Sequence, residues 1–177
     1  MKGLKANQPF ISYTLFKTPI GWCGVIKTQR GLKRIFIGHQ KKHQLINQIT
    51  EDFGNTITTA PSTGKLIENI ERYCSGVKVS FSKCKMDWSS LTPFQCKVLM
   101  ETKKLSYGVV TTYRSLAQKI GSPRGSRAVG NALSHNPFPL LIPCHRIVRS
   151  DGKIGGFSAG GGKKLKEKLL RMEQVNL

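Results

Sequence analysis

The side chains most suited to chemistry lie in one short run, Pro-Cys-His-Arg-Ile-Val at positions 143–148. Adjacent side chains of an extended segment point in opposite directions, so Cys144 and His145 are not expected to bond to each other directly. The thiol could be buried and inert, or it could be a nucleophile that His145 activates through a bridging water. Nearby arginines and a following glycine-rich segment favour the nucleophile, because an electropositive, partly exposed thiol has a lowered pKa.

A histidine that acts as a base needs a carboxylate to orient it, and the end of the chain offers one. Glu173 lies at the edge of the apolar face of a predicted helix, a face formed by Leu165, Leu169 and Met172. Glu167 lies on the opposite face, one turn from both Lys163 and Arg171. We therefore expect Glu173 to serve His145 and Glu167 to form a solvated ion pair.

The other cysteines indicate neither disulfides nor a zinc site. The chain has five cysteines, an odd number, without any CxxC pair. His39 and His43 are one helical turn apart, but no cysteine pair accompanies them, so we interpret them as surface residues. We predict no metal and no cofactor, and we interpret four thiols as structural: Cys23, Cys74, Cys84 and Cys96.

The strongest bulk property is positive charge. The chain has 29 lysines and arginines against 9 acidic residues, a net charge of +20 over 177 residues. Residues 1–88 contain 14 basic and 5 acidic residues, and residues 89–177 contain 15 and 4, so the excess is not confined to a tail. This balance favours a polyanion, and nucleic acid before a membrane surface. Without an apolar run of membrane-spanning length or a signal-peptide pattern, we expect a soluble intracellular protein.

The first half predicts a small α+β unit. Strands are expected at 10–16, 21–28 and 32–38, with a turn at Thr18-Pro19-Ile20-Gly21. Apolar residues recur at helical spacing in 41–54 and 63–76, which end at Gly54 and Gly76. A short strand is expected at 77–81.

The second half predicts helices. Thr92-Pro93 is typical of a helix start, and that helix should run to about Leu105. A second helix should begin after Thr112 and stop at Gly121, and a third should begin at Ser122-Pro123. Two short helices joined by a tight turn are a helix-turn-helix candidate, although many such pairs bind nothing. The third helix should bury Val129, Ala132 and Leu133, and it should expose Arg127, Asn131 and Ser134.

Gly130 lies in the middle of that third helix, where glycine costs about 1 kcal/mol relative to alanine. Close packing of helices would explain it. Close approach of a DNA backbone would explain it as well, and we favour this second interpretation. Asn136-Pro137 should end the helix, and 138–142 should form a buried extended segment that leads to Cys144.

Together, these motifs resemble one known family. The run PCHRIV, preceded by RAVGNALSHNPFPLLI and followed by GGFSAGG and a final glutamate, is similar to the methylated-DNA–protein-cysteine methyltransferases, also called O6-alkylguanine-DNA alkyltransferases. The resemblance is close from Leu91 to Glu173 and loose before that. It implies a ribonuclease-H-like α+β domain at 1–88 and a mostly helical domain with a helix-turn-helix at 89–177.

The resemblance implies a role for each reactive residue. Cys144 would accept an alkyl group from O6-alkylguanine in double-stranded DNA, and O4-alkylthymine is a further candidate substrate. His145, a water and Glu173 would convert Cys144 to a thiolate. Tyr113 would donate a hydrogen bond to the guanine ring; otherwise it is a core tyrosine with its hydroxyl at a rim.

The resemblance also assigns the binding residues. Arg127 would enter the duplex in place of an extruded base, or would be one more arginine that binds phosphate. Asn136 would tie the Cys144 segment to the helix-turn-helix, or would merely end a helix. The remaining expected contacts are Arg114, Gly130, Asn131 and Ser134 at the DNA, and Ile147, Phe157 and Ser158 around the guanine. Phe157 stands where many relatives have tyrosine, so a hydroxyl contact is missing there.

The predicted function is therefore DNA repair by irreversible, single-turnover alkyl transfer with base flipping. The protein is expected to be a monomer. Its expected location is the cytoplasm, at the nucleoid, or the nucleus if the source is a eukaryote. Three alternatives remain. They are a non-reactive module that binds alkylated bases, a transcriptional regulator built on the helix-turn-helix, and a Cys-His hydrolase of small molecules.

Overall fold

The structure is a computed structural model that describes residues 11–54 and 57–175. It is a mixed α/β fold with a small sheet in the first half and mainly helices in the second. The elements in chain order are β1 (Ile11–Thr18), β2 (Gly21–Thr28), β3 (Gly31–His39), α1 (Lys42–Phe53), β4 (Thr58–Thr59), α2 (Lys65–Cys74), α3 (Pro93–Lys103), β5 (Thr111–Thr112), α4 (Tyr113–Lys119), α5 (Ser126–Ser134), β6 (Ile147–Val148) and α6 (Gly162–Met172).

The main sheet has the strand order β3-β2-β1-β4. β1, β2 and β3 are antiparallel neighbours, whereas β4 pairs with β1 in parallel. The three predicted strands and the turn at Thr18–Gly21 are confirmed, although β1 continues to Thr18. Phe10, the predicted start of β1, lies outside the described residues.

Alternation along the strands places apolar side chains on both faces of this sheet. Ile26 and Phe36 pack against α1 through Leu45 and Ile49. The opposite face belongs to a larger cluster that includes α2 and residues of the second half, such as Ile37, Ile70, Cys144 and Leu169. The halves thus share one core, and the division into domains at 88/89 stays a prediction.

The expected strand at 77–81 is wrong. The chain instead closes the end of α2, where the Val77 amide donates to the Arg72 carbonyl, and it then turns at Phe81 and Cys84. The edge of β3 is occupied farther along: Leu32 and Asp87 donate backbone hydrogen bonds to Lys85 and Leu32, respectively. These bonds occupy the free edge of β3, where a strand at 77–81 would have had to pair.

Between Thr92 and Ile142, the second half agrees with the sequence except at two points. Thr92 and Thr112 accept hydrogen bonds from the Gln95 and Ser115 amides, which are the expected N-caps. α5 begins at Ser126 and not at Ser122, because the Gly125 amide closes a turn onto the Ser122 carbonyl.

The second difference is the segment 138–142, which is buried but turns and is not extended. Leu140 has a φ of 73° there, in the left-handed region. The segment ends in a hydrogen bond from the Ile142 amide to the Phe138 carbonyl. Burial of this segment was predictable from its apolar composition, whereas its turn depends on hydrogen bonds made in the folded chain.

A close contact joins β3 to α6. Gly38 has a φ of +76°, and a β-carbon at this position would lie 2.4 Å from Cδ2 of Leu165. Only glycine therefore allows the strand and the helix to approach this closely. Among the described residues, helices long and apolar enough to cross a membrane are absent.

Candidate active site

The reactive run forms a single 3-10 turn, Cys144–Arg146, and not the extended segment expected from the sequence. The turn is held by hydrogen bonds from the Cys144 amide to the Ile142 carbonyl and from the Arg146 amide to the Pro143 carbonyl. It leads into β6, which pairs in parallel with β5. Successive side chains of a 3-10 turn still diverge, by about a third of a turn, so Cys144 and His145 face different partners.

Asn136 connects α5 to this turn. Its Nδ2 donates to the Ile142 carbonyl at 2.9 Å and to the Cys144 sulfur at 3.1 Å, while its Oδ1 accepts from the Phe138 amide at 3.0 Å. The amide of Asn136 is therefore fixed by three bonds, and one of its hydrogens points at the sulfur. This geometry fits the hinge role inferred from the sequence.

Glu173 is the centre of a buried polar cluster. Oε1 accepts from His145 Nε2 at 3.0 Å, from Arg146 Nη2 at 2.7 Å and from the Tyr73 hydroxyl. Oε2 accepts from Arg146 Nε at 2.8 Å and from the Gly108 amide at 3.0 Å. Burial alone would raise the pKa of Glu173, but the bonds from His145, Arg146 and Tyr73 outweigh it and hold the pKa well below its usual range.

This cluster fixes the tautomer of His145. Because the Glu173 carboxylate can only accept, Nε2 of His145 carries the proton. Burial lowers the pKa of His145, so the ring is neutral at pH 7 even though Glu173 opposes this shift. Nδ1 then has a free lone pair, and it is buried with no hydrogen-bond partner in residues 11–54 and 57–175. A neutral imidazole with a free Nδ1 can accept a proton.

Cys144 differs from the expectation in one respect. Its exposed fraction is only 7%, and burial raises the pKa of its thiol, with the hydrogen bond from Asn136 and the charge of Lys166 opposing that rise. The predicted lowering of the pKa is wrong for the resting protein. The sulfur rests as a thiol and needs a base when it reacts.

Two cavities border Cys144. One, of about 430 Å³, is lined by Tyr113, Gly130, Leu133, Ser134, Cys144, Gly156, Phe157 and Ser158. The other, of about 470 Å³, borders Cys144 on the side of β3 and includes Arg34, His39 and Asn136. The thiol is therefore accessible despite its small exposed area. His39 is half-buried in β3 and lies outside the helix that contains His43.

The first cavity contains most of the predicted guanine residues. Phe157 and Ser158 line it together with Tyr113, whose pKa is raised by burial, so its hydroxyl stays protonated. Ile147 is not part of its lining in the described part of the chain. The Ile147 carbonyl instead accepts a hydrogen bond from Lys166 Nζ at 2.5 Å.

The predicted DNA-binding residues lie on α4 and α5. Arg114, Arg127, Asn131 and Ser134 are exposed. Gly130 faces Tyr113, and a β-carbon at Gly130 would lie 3.7 Å from the Tyr113 ring, which is an ordinary contact. Close packing of helices therefore does not require glycine here.

The sequence analysis missed three site residues: Tyr73, Arg146 and Lys166. Arg146 adjoins His145, and a buried glutamate in a chain this basic needs a cation, so this contact could have been inferred. Lys166 lies three residues before Leu169, on the apolar side of α6, which was a usable signal. Tyr73 gave no local signal, because its partner is 100 residues away.

Comparison with known proteins defines the class of the molecule. Residues 93–175 match the DNA-binding domain of 6-O-methylguanine DNA methyltransferase. OGT of Mycobacterium tuberculosis, solved in complex with DNA, has a TM-score of 0.76 at 27% identity, with 92% of each chain covered. Fold and sequence together therefore indicate a methyltransferase of the DNA-repair type.

Relatives of known name identify the family. The methylated-DNA–protein-cysteine methyltransferase of Methanosarcina barkeri is 34% identical over 93% of this chain and 98% of its own. The enzyme of that name from Methanothermobacter thermautotrophicus is 38% identical over 71% of this chain and 69% of its own. The chain belongs to the methylated-DNA–protein-cysteine methyltransferase family.

Proposed function

We propose that this protein repairs DNA by moving the alkyl group of O6-alkylguanine to its own Cys144, once per molecule. The observation that carries the proposal is the neutral, oriented His145 beside an accessible Cys144. A water between the Cys144 sulfur and Nδ1 of His145 would pass the thiol proton to the imidazole. Glu173 would then stabilise the imidazolium that forms.

In the transfer step, the Cys144 thiolate attacks the alkyl carbon and displaces the guanine oxygen. A carbon–sulfur bond forms as the carbon–oxygen bond breaks, and the electron pair leaves with the base. Tyr113, protonated at neutral pH, donates a hydrogen bond to the departing ring and can supply the proton that makes it neutral. A thioether has no easy hydrolytic exit, so the reaction stops after one turnover.

The target oxygen is stacked inside a duplex, so the nucleotide must be turned out at a cost of a few kcal/mol. In our proposal, α4 and α5 act as the helix-turn-helix, and Arg127 takes the place of the extruded base. The exposure of Arg127, Asn131 and Ser134 on α5 supports this assignment. Gly130, on the cavity wall, leaves room for the sugar-phosphate backbone.

The assignment of the first half as ribonuclease-H-like is also part of the proposal. It is supported by three antiparallel strands, a helix and a fourth strand that joins β1 in parallel. We place the protein at DNA in the cytoplasm or nucleus, acting as a monomer. The expected partner is duplex DNA with O6-alkylguanine, in line with the DNA complex of the Mycobacterium tuberculosis relative.

One experiment tests the proposed function. The protein is incubated with duplex DNA that contains O6-methylguanine, and its peptides are then mapped by mass spectrometry. We expect one methylene equivalent on Cys144, at most one per molecule, and none in Cys144→Ala. Turnover beyond one equivalent would indicate a hydrolase, and tight binding without a mass gain would indicate a binding module.

A further inference from the structure

Tyr73 brings a hydroxyl group from the first half of the chain to the base of the proposed mechanism. It lies on α2, and only 2% of its surface is exposed. Its hydroxyl oxygen lies 3.2 Å from Nε2 of His145, and the hydroxyl donates to Oε1 of Glu173. Tyr73 thus contacts both the base and its carboxylate, although the proposed proton transfer needs neither contact.

The direction of each hydrogen bond follows from the charge of Glu173, which its low pKa keeps ionised. An ionised carboxylate only accepts, so the hydroxyl proton of Tyr73 and the Nε2 proton of His145 both point to Oε1. Burial and the neighbouring charge of Glu173 raise the pKa of Tyr73 far above its usual value, so the phenol keeps its proton. Tyr73 is therefore a permanent donor to the carboxylate that orients the base.

Tyr73 and His145 compete for one oxygen atom. Oε1 of Glu173 lies 3.0 Å from Nε2 of His145 and 2.7 Å from Nη2 of Arg146, and the phenol is a further donor to it. Each hydrogen bond to an ionised carboxylate lowers its proton affinity, so the carboxylate becomes a weaker acceptor for the remaining donors. The charge of Glu173 favours the protonated form of His145, and a phenol bound at the same oxygen weakens that effect.

The charged and titratable neighbours of His145 come from α2, the 3-10 turn and α6 with its C-cap. They are Tyr73, Cys144, Arg146, Lys166 and Glu173. Burial raises the pKa of both Tyr73 and Cys144, so these two are neutral at rest. The charges of Arg146 and Lys166 oppose a positive charge on the ring, and Glu173 is the one of the five that favours it. Any change in the strength of Glu173 therefore shifts the balance at His145.

We propose that Tyr73 is a positioning residue that weakens the base at rest, because its hydroxyl occupies Oε1 of Glu173 and so helps to keep His145 neutral. This inference rests on the proposed function, in which His145 takes the proton of Cys144. A protein that reacts only once is lost if its sulfur ionises early and meets a free electrophile. A weak, neutral base leaves Cys144 a thiol at rest, and this protects it from such reactions.

The test compares Tyr73→Phe, which removes only the hydroxyl, with Tyr107→Phe as the matched control. The centre of the Tyr107 ring lies 6.2 Å from that of Tyr73, but the Tyr107 hydroxyl donates to the Met172 carbonyl at 2.9 Å. The protonation of His145 is followed between pH 4 and pH 8 by nitrogen-15 NMR, which distinguishes Nδ1 from Nε2. His145→Gln assigns the signals, and circular dichroism checks that each variant is folded.

We expect the titration midpoint of His145 to rise by about one pH unit in Tyr73→Phe, because the carboxylate then loses one donor and attracts the imidazolium more strongly. Tyr107→Phe should match the wild type. An unchanged or lower midpoint in folded Tyr73→Phe overturns the inference. So does an equal rise in both variants, because that result indicates a loss of packing and not the release of the shared oxygen.

The reactivity of Cys144 towards iodoacetamide, a free electrophile, reports the same effect at the sulfur. Peptide mass spectrometry measures the rate at pH 6, where a stronger base in Tyr73→Phe should increase it by up to roughly tenfold. At pH 10 hydroxide removes the thiol proton without His145, so the two proteins should react equally fast. Cys74, buried next to Tyr73 on α2, is the internal control. An unchanged rate at pH 6, or an equal increase at pH 10 or at Cys74, overturns the inference.

A second measurement does not depend on the folding of a Tyr73 variant. In the wild type, the hydroxyl proton of Tyr73 is followed by proton NMR while His145 titrates. Because the two groups share Oε1 of Glu173, we expect the chemical shift of this proton to change with the His145 midpoint, and a constant shift overturns the inference. Methyl transfer from DNA by the wild type is measured in parallel. Failure of the proposed function is then seen separately, because neither titration requires DNA.

Discussion

At the scale of single residues, Glu173 links the reactive turn to the rest of the molecule. Its two oxygens accept five hydrogen bonds from Tyr73, Gly108, His145 and Arg146. Through these hydrogen bonds, the Glu173 carboxylate stabilises the fold and also holds His145 in one orientation and tautomer. Removing its charge leaves Arg146 as a buried cation without a partner.

We therefore expect Glu173→Gln to lower the free energy of unfolding by about 3–5 kcal/mol, since breaking one side of a buried ion pair is strongly destabilising. Methyl transfer should also be slower, because the imidazolium of His145 loses its counter-charge. Urea unfolding measures the first effect and single-turnover kinetics the second. Glu167→Gln is the control: its ion pair with Lys163 is partly exposed at 3.9 Å, so the change should stay below about 1 kcal/mol.

The same cluster predicts how stability depends on pH. The pKa of His145 is below its usual 6.5 and that of Glu173 below its usual 4.5, so the unfolded chain binds more protons than the folded protein at acidic pH. Each residue contributes its full stabilisation of the fold at a pH above its usual pKa. As the pH falls, the stabilisation from His145 is lost first and that from Glu173 next. The urea midpoint should fall between pH 7 and pH 4. A midpoint that stays constant over this range would contradict the neutral, Glu173-bound state of His145.

Several site residues were predictable, and the reasons are local. Cys144 and His145 are adjacent, Asn136 precedes a proline, and Glu173 follows a helical apolar pattern, so each could be found from its neighbours in sequence. Tyr73 belongs to a helix of the first half, and its contact with Glu173 depends on tertiary packing. The resting pKa of Cys144 was misjudged for a related reason, because burial in the folded chain outweighs the nearby positive charge.

At the scale of elements, α5 combines a proposed binding role with a local weakness. Gly130 lowers the stability of this helix, yet a methyl group there would make only an ordinary contact with Tyr113. The end of α5 before Asn136-Pro137 was placed correctly from the sequence, whereas its first turn was not. Ser122-Pro123 resembles a helix start, but a hydrogen-bonded turn at Gly125 delays α5 to Ser126.

Gly130→Ala separates the two roles. We expect it to raise the free energy of unfolding by up to about 1 kcal/mol, because alanine is the better helix former. DNA binding should weaken at the same time, if the backbone approaches α5 at this glycine. Fluorescence anisotropy with duplex DNA measures the affinity. Ala128→Gly, at an exposed position of the same helix, should lower stability by a similar amount, and affinity unchanged in Gly130→Ala would contradict the close approach.

At the scale of the whole molecule, the net charge of +20 provides sequence-independent attraction to DNA. With six or more phosphate contacts, affinity should fall by roughly a thousandfold between 50 and 200 mM salt. Arg114→Ala, at an exposed position of α4, should reduce the slope of log affinity against log salt by about one, as expected for an arginine that contacts a phosphate. Arg72→Ala, at an exposed position of α2, is the control, and an equal change in both variants would contradict a specific binding face on α4 and α5.

Tyr73 also bears on how such a protein could be shortened or recombined. It is the one donor to Glu173 in the described chain that comes from before residue 89, and it reaches the carboxylate from α2. A polypeptide that began at Ser89 would contain the nucleophile, the base and the carboxylate, but it would lack this phenol and would expose the surface that α2 covers. The surroundings of His145 thus include a residue of the first half, and exchanging that half for one without a phenol at this place would remove a neighbour of both the base and its carboxylate.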